Sequence, residues 1–435
     1  MARKRANASW RAKGSAGGPG QTAQSMGCAH MDAAWEDPHI CPNTTAGHYK
    51  GLEMTTHIGP FPGLYYFADL SQRQVAAMSA MPFVEYADYT ADGAFLAQRA
   101  YPLVKEVVAF FLSYVTPNPA TGALDILQSC AQEICSGGPD GENNPHHDLA
   151  FVAAMLRALL RWSAQLGADA DERPVWQHLL DHLAPLPTGT HANGTVWLEA
   201  DDTQGFFLSN AAGYTIVYYA ALHPAQVVSL SSGAEALETA WNTVTAVNTV
   251  AEWHPVNGLC MAWPPATRCA GAARAAFVLD AFEGALRATM HDNFYPDVGG
   301  GGVEQFGATE AVNSALLQSQ EGFLRFFPMW PPGENATFAT LRARGAFLVS
   351  ASFSLGAAVA PLSIAADGVA AAPRARNCSL LDPWAPPAPP WLPPVVRDAA
   401  GGAVGVLKDP AWPELPVWMF AAEAGGAYRV WPHAE

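Results

Sequence analysis

Charged residues are scarce in this sequence, since Asp, Glu, Lys and Arg together make up 14% of its 435 residues. Basic residues are the scarcer kind, with 23 Lys and Arg against 39 Asp and Glu, which gives a formal net charge of −16. An acidic chain of this composition lacks the positive surface that binds nucleic acids or anionic membranes. We therefore expect neither as a partner.

Three sequence features that would indicate other classes of protein are also lacking. No apolar run predicts a helix that spans a bilayer. Residues 1–24 are basic and rich in Gly, Ala and Ser, without the apolar core of a signal peptide, and we expect this tail to be disordered. The sequence has no Gly-x-Ser-x-Gly motif, so Ser-His-Asp catalysis is unsupported.

Apolar and aromatic residues are abundant. Half of the residues are hydrophobic, 11% are aromatic and 14 are Trp. This composition allows a sizeable core. It also suits a cleft in which sugar rings stack on aromatic side chains, although a large core would have the same composition.

The cysteines fall into local couples. Six of the seven form the couples Cys28/Cys41, Cys130/Cys135 and Cys260/Cys269, which suit three short-loop disulfides and leave Cys378 over. Glycosylation sequons begin at Asn7, Asn43, Asn193, Asn335 and Asn377. Together these features favour a secreted chain, and because a signal peptide is missing we expect the N-terminus to be incomplete.

Helical patterns come first and strand patterns last. Apolar residues spaced by three and four predict a helix over 92–114 that begins at the N-cap Asp92, and further helices over 149–166, 176–183, 234–250, 277–290 and 311–323. From residue 324 short apolar segments separated by Pro and Gly predict a small β domain, with an extended proline-rich linker near 383–394. We expect a tail over 1–24, a helical domain over 25–323 and a β domain over 324–435. The helices suit an α/α toroid, but a plain multi-helix bundle fits equally well.

Two loops carry candidate catalytic carboxylates. In the first, Glu304 follows four glycines, Gly299 to Gly302, where a carboxylate would stand at a loop-to-helix junction. The alternative is that the glycines form a turn and Glu304 caps the next helix. The second loop, residues 120–148, holds Glu133 and Glu142, and a Cys130–Cys135 disulfide would hold Glu133 in a fixed position.

The histidines of the second loop allow two interpretations. His146 and His147 stand next to Asp148, which suits the N-cap of the following helix. Adjacent histidines seldom face one metal ion, so we expect no metal and no cofactor here. A sugar hydroxyl is the more natural partner for His146.

Four segments, in order, resemble glycoside hydrolase family 95, the α-L-fucosidases. The helix containing Arg99-Ala100-Tyr101-Pro102 and Lys105-Glu106 is similar to a helix of that family. So are Leu166-Gly167-Ala168-Asp169-Ala170-Asp171, Leu317-Gln318-Ser319-Gln320-Glu321-Gly322 and Leu341-Arg342-Ala343-Arg344-Gly345. The resemblance spans roughly residues 85–355.

This resemblance implies an (α/α)6 barrel followed by a β-sandwich, and a hydrolysis that inverts the anomeric centre. Inversion uses one carboxylic acid that protonates the leaving oxygen and a second group that activates water. Glu133 aligns with the general acid of the family, and Glu142 is the alternative candidate for that role. The family's second carboxyl is an Asp that aligns with Val303, so Glu304 is displaced from it by one residue.

Further residues are candidates for binding the substrate. They are Glu142, His146, His254, Asn257, Trp263 and Gln305. A paired Asn-x-Asn that the family uses to position water is not found in residues 25–90, and the family's N-terminal β domain is missing. Two functions follow as hypotheses: a glycosidase that cleaves a terminal sugar from a glycan, or a non-catalytic or truncated carbohydrate-binding relative.

Overall fold

The computed structural model describes residues 50–52, 72–131, 141–201, 216–247, 262–292, 307–368 and 375–433. These residues divide into two compact units. Unit 1 comprises Met1–Pro82, Arg99–His191 and Trp197–Phe206, and unit 2 comprises Phe83–Gln98, Ala192–Val196 and Phe207–Glu435. The helix α1 contributes to both, because the division falls between Pro82 and Phe83.

The described helices precede most of the strands. They are α1 Val75–Thr90, α2 Gly93–Phe95, the π-helical turn Leu96–Ala100, α3 Tyr101–Tyr114, α4 His146–Leu166, α5 Arg173–His182, α6 Ile216–Tyr219, α7 Ala234–Val247, α8 Trp263–Cys269, α9 Gly271–Thr289 and α10 Gly307–Leu316. Short strands lie among them: β1 Thr116–Pro117, β2 Leu124–Asp125, β3 Thr188–His191 and β4 Gly194–Trp197.

Asp92 caps the first helical turn of the predicted 92–114 helix. Its Oδ1 accepts hydrogen bonds from the backbone N–H groups of Ala94 and Phe95, which satisfies two donors that have no intrahelical partner. The N-cap predicted from the sequence is therefore confirmed.

The core of unit 1 lies between α3 and α4, which are in contact along their apolar faces. Val104, Val107, Val108 and Phe111 of α3 are all buried, and their spacing of three and four places them on one helix face. The largest fully buried side chain of α4 is Trp162. Burying one such aromatic side chain stabilises the fold by roughly 2–3 kcal/mol.

Helix α4 also meets the length and composition criteria of a membrane span, which the sequence analysis did not predict. It has 21 residues and a mean hydropathy of 1.3 over its most apolar window. Of that window, 61% is buried inside the structure, as in the core helix of a folded domain. We therefore regard α4 as a core helix.

The C-terminal strands of unit 2 form antiparallel sheets. They are β5 Leu317–Gln318, β6 Arg325–Phe326, β7 Ala336–Ala343, β8 Phe347–Ser354, β9 Ala357–Ala366, β10 Ala375–Leu381, β11 Val395–Asp398, β12 Ala403–Val404, β13 Leu407–Lys408, β14 Val417–Glu423 and β15 Ala427–Trp431. One sheet has the strand order β12-β11-β15-β9-β8-β7 and another the order β10-β14-β13.

Both of these sheets contribute to one hydrophobic cluster. Val349 and Ile364, which are paired across β8 and β9, belong to it, as do Leu380 of β10 and Phe420 of β14. Strand β8 alternates buried and half-buried residues along its first half, which is the period of two expected when one face covers a core. The predicted C-terminal β region is therefore present.

The cysteines differ from the predicted couples. Cys130 is disulfide-bonded, whereas its predicted partner Cys135 lies outside the described residues. Cys269 is a free buried thiol at the end of α8, so the predicted Cys260/Cys269 disulfide is wrong. The Cys269 Sγ lies 3.7 Å from the carbonyl oxygen of Ala266 inside its own helix, and burial raises the pKa of this thiol to about 12. Cys378 is free and buried, as its leftover position suggested.

Candidate functional site

The structure describes part of the predicted site. Glu142, His146 and Trp263 lie within the described residues. The other candidates are named in the sequence analysis but lie outside the described residues: Glu133, His254, Asn257, Glu304 and Gln305. The structure describes the residues that flank the three segments containing them, namely 131 and 141, 247 and 262, and 292 and 307.

A backbone bridge in unit 1 joins the two ends of the segment that contains Glu133. The Ser129 N–H donates to the Glu142 carbonyl at 2.9 Å, and the Glu142 N–H donates to the Ser129 carbonyl at 2.6 Å. The side chain of Glu142 is 1% exposed, and its Oε2 accepts the Ala131 N–H at 2.6 Å. The Ser129–Glu142 bridge therefore fixes residues 129–131 and residue 142 to each other.

Position 141, next to the Ser129–Glu142 bridge, requires a glycine. Its φ of +70° is in the left-handed region, which glycine adopts at little cost. A Cβ at this position would lie 2.8 Å from the backbone carbon of Gln128. Any other residue would therefore push the two sides of the bridge apart.

Asp148 supports the Ser129–Glu142 bridge from the first turn of α4. The Ser129 hydroxyl donates to Asp148 Oδ2 at 2.6 Å, and both side chains are fully buried. Burial raises the pKa of Asp148 from 3.8 to about 8; the Ser129 hydrogen bond and Arg73 act in the lowering direction, and Glu142 acts in the raising direction. A protonated carboxyl is therefore favoured in this part of unit 1 at neutral pH.

This contact replaces the role predicted for Asp148. The N-cap position of α4 is occupied by Pro145, and the helix has no side-chain cap. Asp148 lies three residues further along and bonds to Ser129 instead. The N-cap assignment was wrong because Asp148 is engaged by a residue 19 positions earlier in the sequence, which local pattern does not reveal.

His146 and His147 are buried and uncharged. Burial lowers the pKa of each imidazole to about 3, and for His146 the neighbouring His147 adds to the effect. The His146 backbone N–H donates to the Glu199 carbonyl at 2.8 Å, and its ring lies 4.9 Å from the Trp197 ring. Within the described residues no group of three or more His, Cys, Asp or Glu is placed to hold a metal ion. A role for His146 in binding a sugar hydroxyl stays a prediction.

Asn144 ties this region to two acidic residues that the sequence analysis did not single out for the site. Its Nδ2 donates to Asp201 Oδ2 at 2.6 Å and to Asp125 Oδ1 at 3.1 Å. Its Oδ1 accepts the Ile126 N–H at 2.8 Å. Asp125 ends strand β2 and Asp201 lies in a separate turn, so in the sequence only the polar residues around 142–148 and 199–202 indicate the cluster.

In unit 2, Glu310 lies in the first turn of α10, shortly after the segment that contains Glu304 and Gln305. The Arg268 Nη2 donates to Glu310 Oε1 at 2.6 Å. Burial would raise the pKa of Glu310, but Arg268 and His223 together hold it below its ordinary value. Glu310 is therefore a carboxylate paired within the unit.

Trp263 lies in the interior of unit 2. Its side chain has no exposed surface, and its ring packs edge-on against Phe282 at 5.1 Å. A ring that stacks on a sugar must present a face to the substrate. The sugar-binding role predicted for Trp263 stays a prediction, and in this structure the residue is part of the core.

The residues that carried the sequence resemblance contact one another. In unit 1 the Tyr101 hydroxyl donates to Asp169 Oδ2 at 2.7 Å, and Lys105 Nζ lies 2.8 Å from the same oxygen. The segments around Tyr101 and Asp169, which were matched separately, thus meet in one polar contact. Its role is structural, because it joins the start of α3 to the loop after α4.

The resembling segment 317–322 has a similar role in unit 2. Gln318 Nε2 donates to the carbonyl oxygens of Thr267 and Ser314, both at 2.9 Å. Glu321 accepts from Ser229 and from Arg325. These contacts give the Gln318 amide and the Glu321 carboxylate a structural role within unit 2.

The glycosyl hydrolase family 95 catalytic domain model matches residues 70–273, which contain α3, the Ser129–Glu142 bridge, α4 and α8. Residues 70–273 are therefore similar to the catalytic domain of glycosyl hydrolase family 95. The resemblance found in the sequence is confirmed for these residues. No curated protein matches the chain.

Two solved structures are similar to this chain. A protein described as a kojibiose phosphorylase from the human microbiome is 9% identical with a TM-score of 0.42, and the match covers 69% of this chain and 47% of that one. An α-L-rhamnosidase from Streptomyces avermitilis, complexed with L-rhamnose, is 13% identical with a TM-score of 0.35, and the match covers 82% of this chain and 32% of that one. The chain therefore spans less than half the length of either.

Proposed function

We propose that this chain is a glycoside hydrolase that removes a terminal sugar, of the α-L-fucoside type, from a glycan with inversion of the anomeric centre. The match of residues 70–273 to the family 95 catalytic domain carries this proposal. We infer an (α/α)6 toroid followed by a β-sandwich as the complete architecture. Helices first and antiparallel sheets last along the chain support that arrangement.

We assign the general acid to Glu133. The Ser129–Glu142 bridge supports this assignment, since it anchors both ends of the segment that contains Glu133. The Glu142 carboxylate accepts the Ala131 N–H, which favours Glu133 over Glu142 as the acid and leaves Glu142 as the fallback. A general acid must hold its proton near neutral pH, which requires a raised pKa. Burial raises the pKa of Asp148, which lies next to this segment, to about 8.

We assign the activation of water to Glu304. In the proposed step Glu133 gives its proton to the glycosidic oxygen as the bond from that oxygen to the anomeric carbon breaks. The water oxygen bonds to the same carbon from the opposite face, and the water proton passes to Glu304. In inverting enzymes the two carboxyl groups stand about 6.5–9.5 Å apart. Glu304 lies beyond the matched residues, so its assignment rests on the sequence resemblance.

The remaining substrate contacts are proposals from the sequence. His254, Asn257 and Gln305 would bind sugar hydroxyls, with His146 and Trp263 as further candidates. Amide and imidazole groups are suited to this task because they donate and accept hydrogen bonds without a net charge.

Hydrolysis of a panel of aryl glycosides tests the proposal. L-Fucosides, L-rhamnosides, D-galactosides and D-glucosides would be offered to the wild-type protein and to the Glu133→Gln and Glu304→Gln variants. Removing general acid–base catalysis costs about 10²–10⁴-fold in turnover. Glu283→Gln, at a carboxylate that is 60% exposed and pairs with Arg287, is the matched control. Turnover of both catalytic variants within a few-fold of the wild type would refute the assignment.

The alternative is a carbohydrate-binding relative without catalysis. The displacement of Glu304 by one residue from the family's aspartate, and the lack of a paired Asn-x-Asn in residues 25–90, favour it. Binding to glycans on an array with no hydrolysis of any glycoside would support this reading. Proton NMR of the first-formed anomer would separate an inverting hydrolase from a retaining one.

We also propose that the chain passes through the secretory pathway. The sequon residues Asn193, Asn335 and Asn377 are exposed, as N-glycan acceptors must be. Treatment of the protein from a eukaryotic host with an N-glycan-removing amidase should increase its electrophoretic mobility. An unchanged mobility would contradict this proposal.

A further inference from the structure

A small polar cavity lies in unit 2, beside the second half of α10. Its volume is about 190 Å³, and its walls include Tyr89, Arg268, Glu310, Asn313 and Gln318. The floor is buried, since Arg268 is 3% exposed and Gln318 2% exposed. The cavity is therefore preformed by packed residues of a single unit.

The cavity is lined by a different part of the chain from the segment that contains Glu304. Glu304 precedes the N-terminus of α10, whereas most of the lining residues lie on its second half and in the segment that follows it, residues 313–320. Of the described residues that line the cavity, none is assigned to catalysis.

The charges in the cavity wall are already compensated. Arg268 is paired with Glu310 at 2.6 Å, and Arg342 at the rim is paired with Asp367 at 2.5 Å. An anion would be opposed by the two carboxylates and a cation by the two guanidinium groups. The balance of charge therefore favours a neutral ligand.

Several polar groups in the wall remain unsatisfied. Arg268 Nε and Nη1 are buried and have no hydrogen-bond partner within the described part of the chain. The side-chain amide of Asn313 and the hydroxyl of Tyr89 also make no hydrogen bond to any described residue. The Arg268 nitrogens lie too deep for a ligand to reach, whereas the half-buried Asn313 amide and Tyr89 hydroxyl can both donate to and accept from the hydroxyl groups of a ligand.

The size of the cavity sets the size of the ligand. A volume of 190 Å³ corresponds to about six water molecules at liquid density. This is enough for one sugar ring and too little for an oligosaccharide or for most drug-sized molecules. The aromatic ring of Tyr89 adds an apolar surface on which one face of a sugar ring can pack.

We propose that this cavity is a second binding site, which takes one neutral monosaccharide. Its hydroxyl groups hydrogen-bond to the side-chain amide of Asn313 and to the hydroxyl of Tyr89, and its ring packs on Tyr89. The site operates independently of the proposed hydrolysis, because none of these residues is assigned to catalysis. A few hydrogen bonds to a small ligand correspond to a dissociation constant in the millimolar range.

Ligand-observed NMR and calorimetry on the full chain test the proposal. The probes are L-fucose, D-galactose and D-glucose, with inorganic phosphate as the charged counter-probe. We expect at least one sugar to bind with a millimolar dissociation constant and phosphate not to bind. Asn313→Leu should weaken sugar binding at least tenfold, while Thr309→Leu, an exposed position of the same helix, should leave it unchanged.

Two further variants distinguish a loss of the sugar site from misfolding and from sugar binding at the proposed catalytic site. Tyr89→Phe keeps the ring and removes one hydroxyl, so a several-fold weakening is expected even if Asn313→Leu does not fold. Glu133→Gln/Glu304→Gln should retain the sugar site, whatever it does to hydrolysis. The proposal is overturned if no sugar binds, if binding survives both Asn313→Leu and Tyr89→Phe, if phosphate binds more tightly than the sugars, or if the double variant abolishes binding.

Discussion

Replacing Asp148 by Asn should remove a pH dependence from the stability of unit 1. Burial raises the pKa of Asp148 from 3.8 to about 8, with Ser129 and Arg73 acting in the opposite direction. Between these two values the folded protein holds a proton that the unfolded chain has released, so a rise in pH favours unfolding. The slope is about 1.4 kcal/mol per pH unit, and asparagine, which does not ionise, cannot produce it.

The difference in unfolding free energy between the wild type and Asp148→Asn isolates this slope. From about pH 5.5 to about pH 7.5 the wild type should lose roughly 3 kcal/mol of stability relative to Asp148→Asn. His146 and His147 act with the opposite sign, because burial lowers their pKa values to about 3 and rising pH therefore favours the folded state up to the ordinary imidazole value of 6.5. Their burial is the same in both proteins, so this contribution cancels apart from the contact of His147 Nδ1 with Asp148 Oδ1 at 3.6 Å. Asparagine also keeps an oxygen that can accept the Ser129 hydroxyl.

Amide hydrogen exchange of helix α4 is the suitable assay. It reports the free energy of opening of this helix after correction for the intrinsic exchange rate at each pH, and it does not require the two units to unfold together. Asp171→Asn, at an exposed position after the same helix, controls for the loss of a carboxylate. An Asp148→Asn difference that stays constant across this pH range would show that Asp148 is ionised in the folded protein and would refute the reasoning.

Two further predictions concern backbone and charge. Gly141→Ala should destabilise unit 1 by about 2 kcal/mol more than Gly122→Ala. Both glycines have a positive φ, but only a Cβ at position 141 would lie against neighbouring backbone atoms. Equal losses of stability for the two variants, measured by hydrogen exchange, would contradict this prediction. Glu321→Ala should cost unit 2 about 3 kcal/mol, since it leaves the half-buried Arg325 without its carboxylate. Glu283→Ala, at an exposed i,i+4 pair, should cost less than about 0.5 kcal/mol, and a comparable loss at both positions in thermal unfolding would count against the burial argument.

Helices with an amphipathic pattern could be predicted from the sequence, but the residues at which they begin and end were predicted less accurately. The predicted 92–114 helix, its cap at Asp92 and the long helix before Leu166 are present. Helix α9 begins at Gly271, six residues before the predicted start, because Ala-rich residues favour helix without an apolar pattern. Helix α10 ends at Leu316, whereas the prediction continued to residue 323. Residues 317–318 pair instead with Arg325–Phe326, and such tertiary pairing overrides the local pattern.

The candidate site was less predictable than the fold. The sequence identified Glu142 as a possible sugar ligand, yet its carboxylate accepts a backbone N–H of its own loop. Asp148, Asn144 and Asp201 were not assigned to the site, because their contacts join loops that are 19 or more residues apart. The motifs that indicated the family are explained by structural contacts, so they identify a relative without identifying its catalytic residues.

The dependence of hydrolysis on the leaving group tests the central claim most directly. A general acid matters when the departing oxygen is a poor leaving group and matters little when the leaving group is already acidic. Turnover of aryl glycosides with leaving groups of increasing acidity would therefore be measured for the wild-type protein and for Glu133→Gln. The account predicts that Glu133→Gln loses about 10²-fold or more on the poorest leaving group and much less on the best. An equal effect on all of these substrates, or no effect on any, would contradict it.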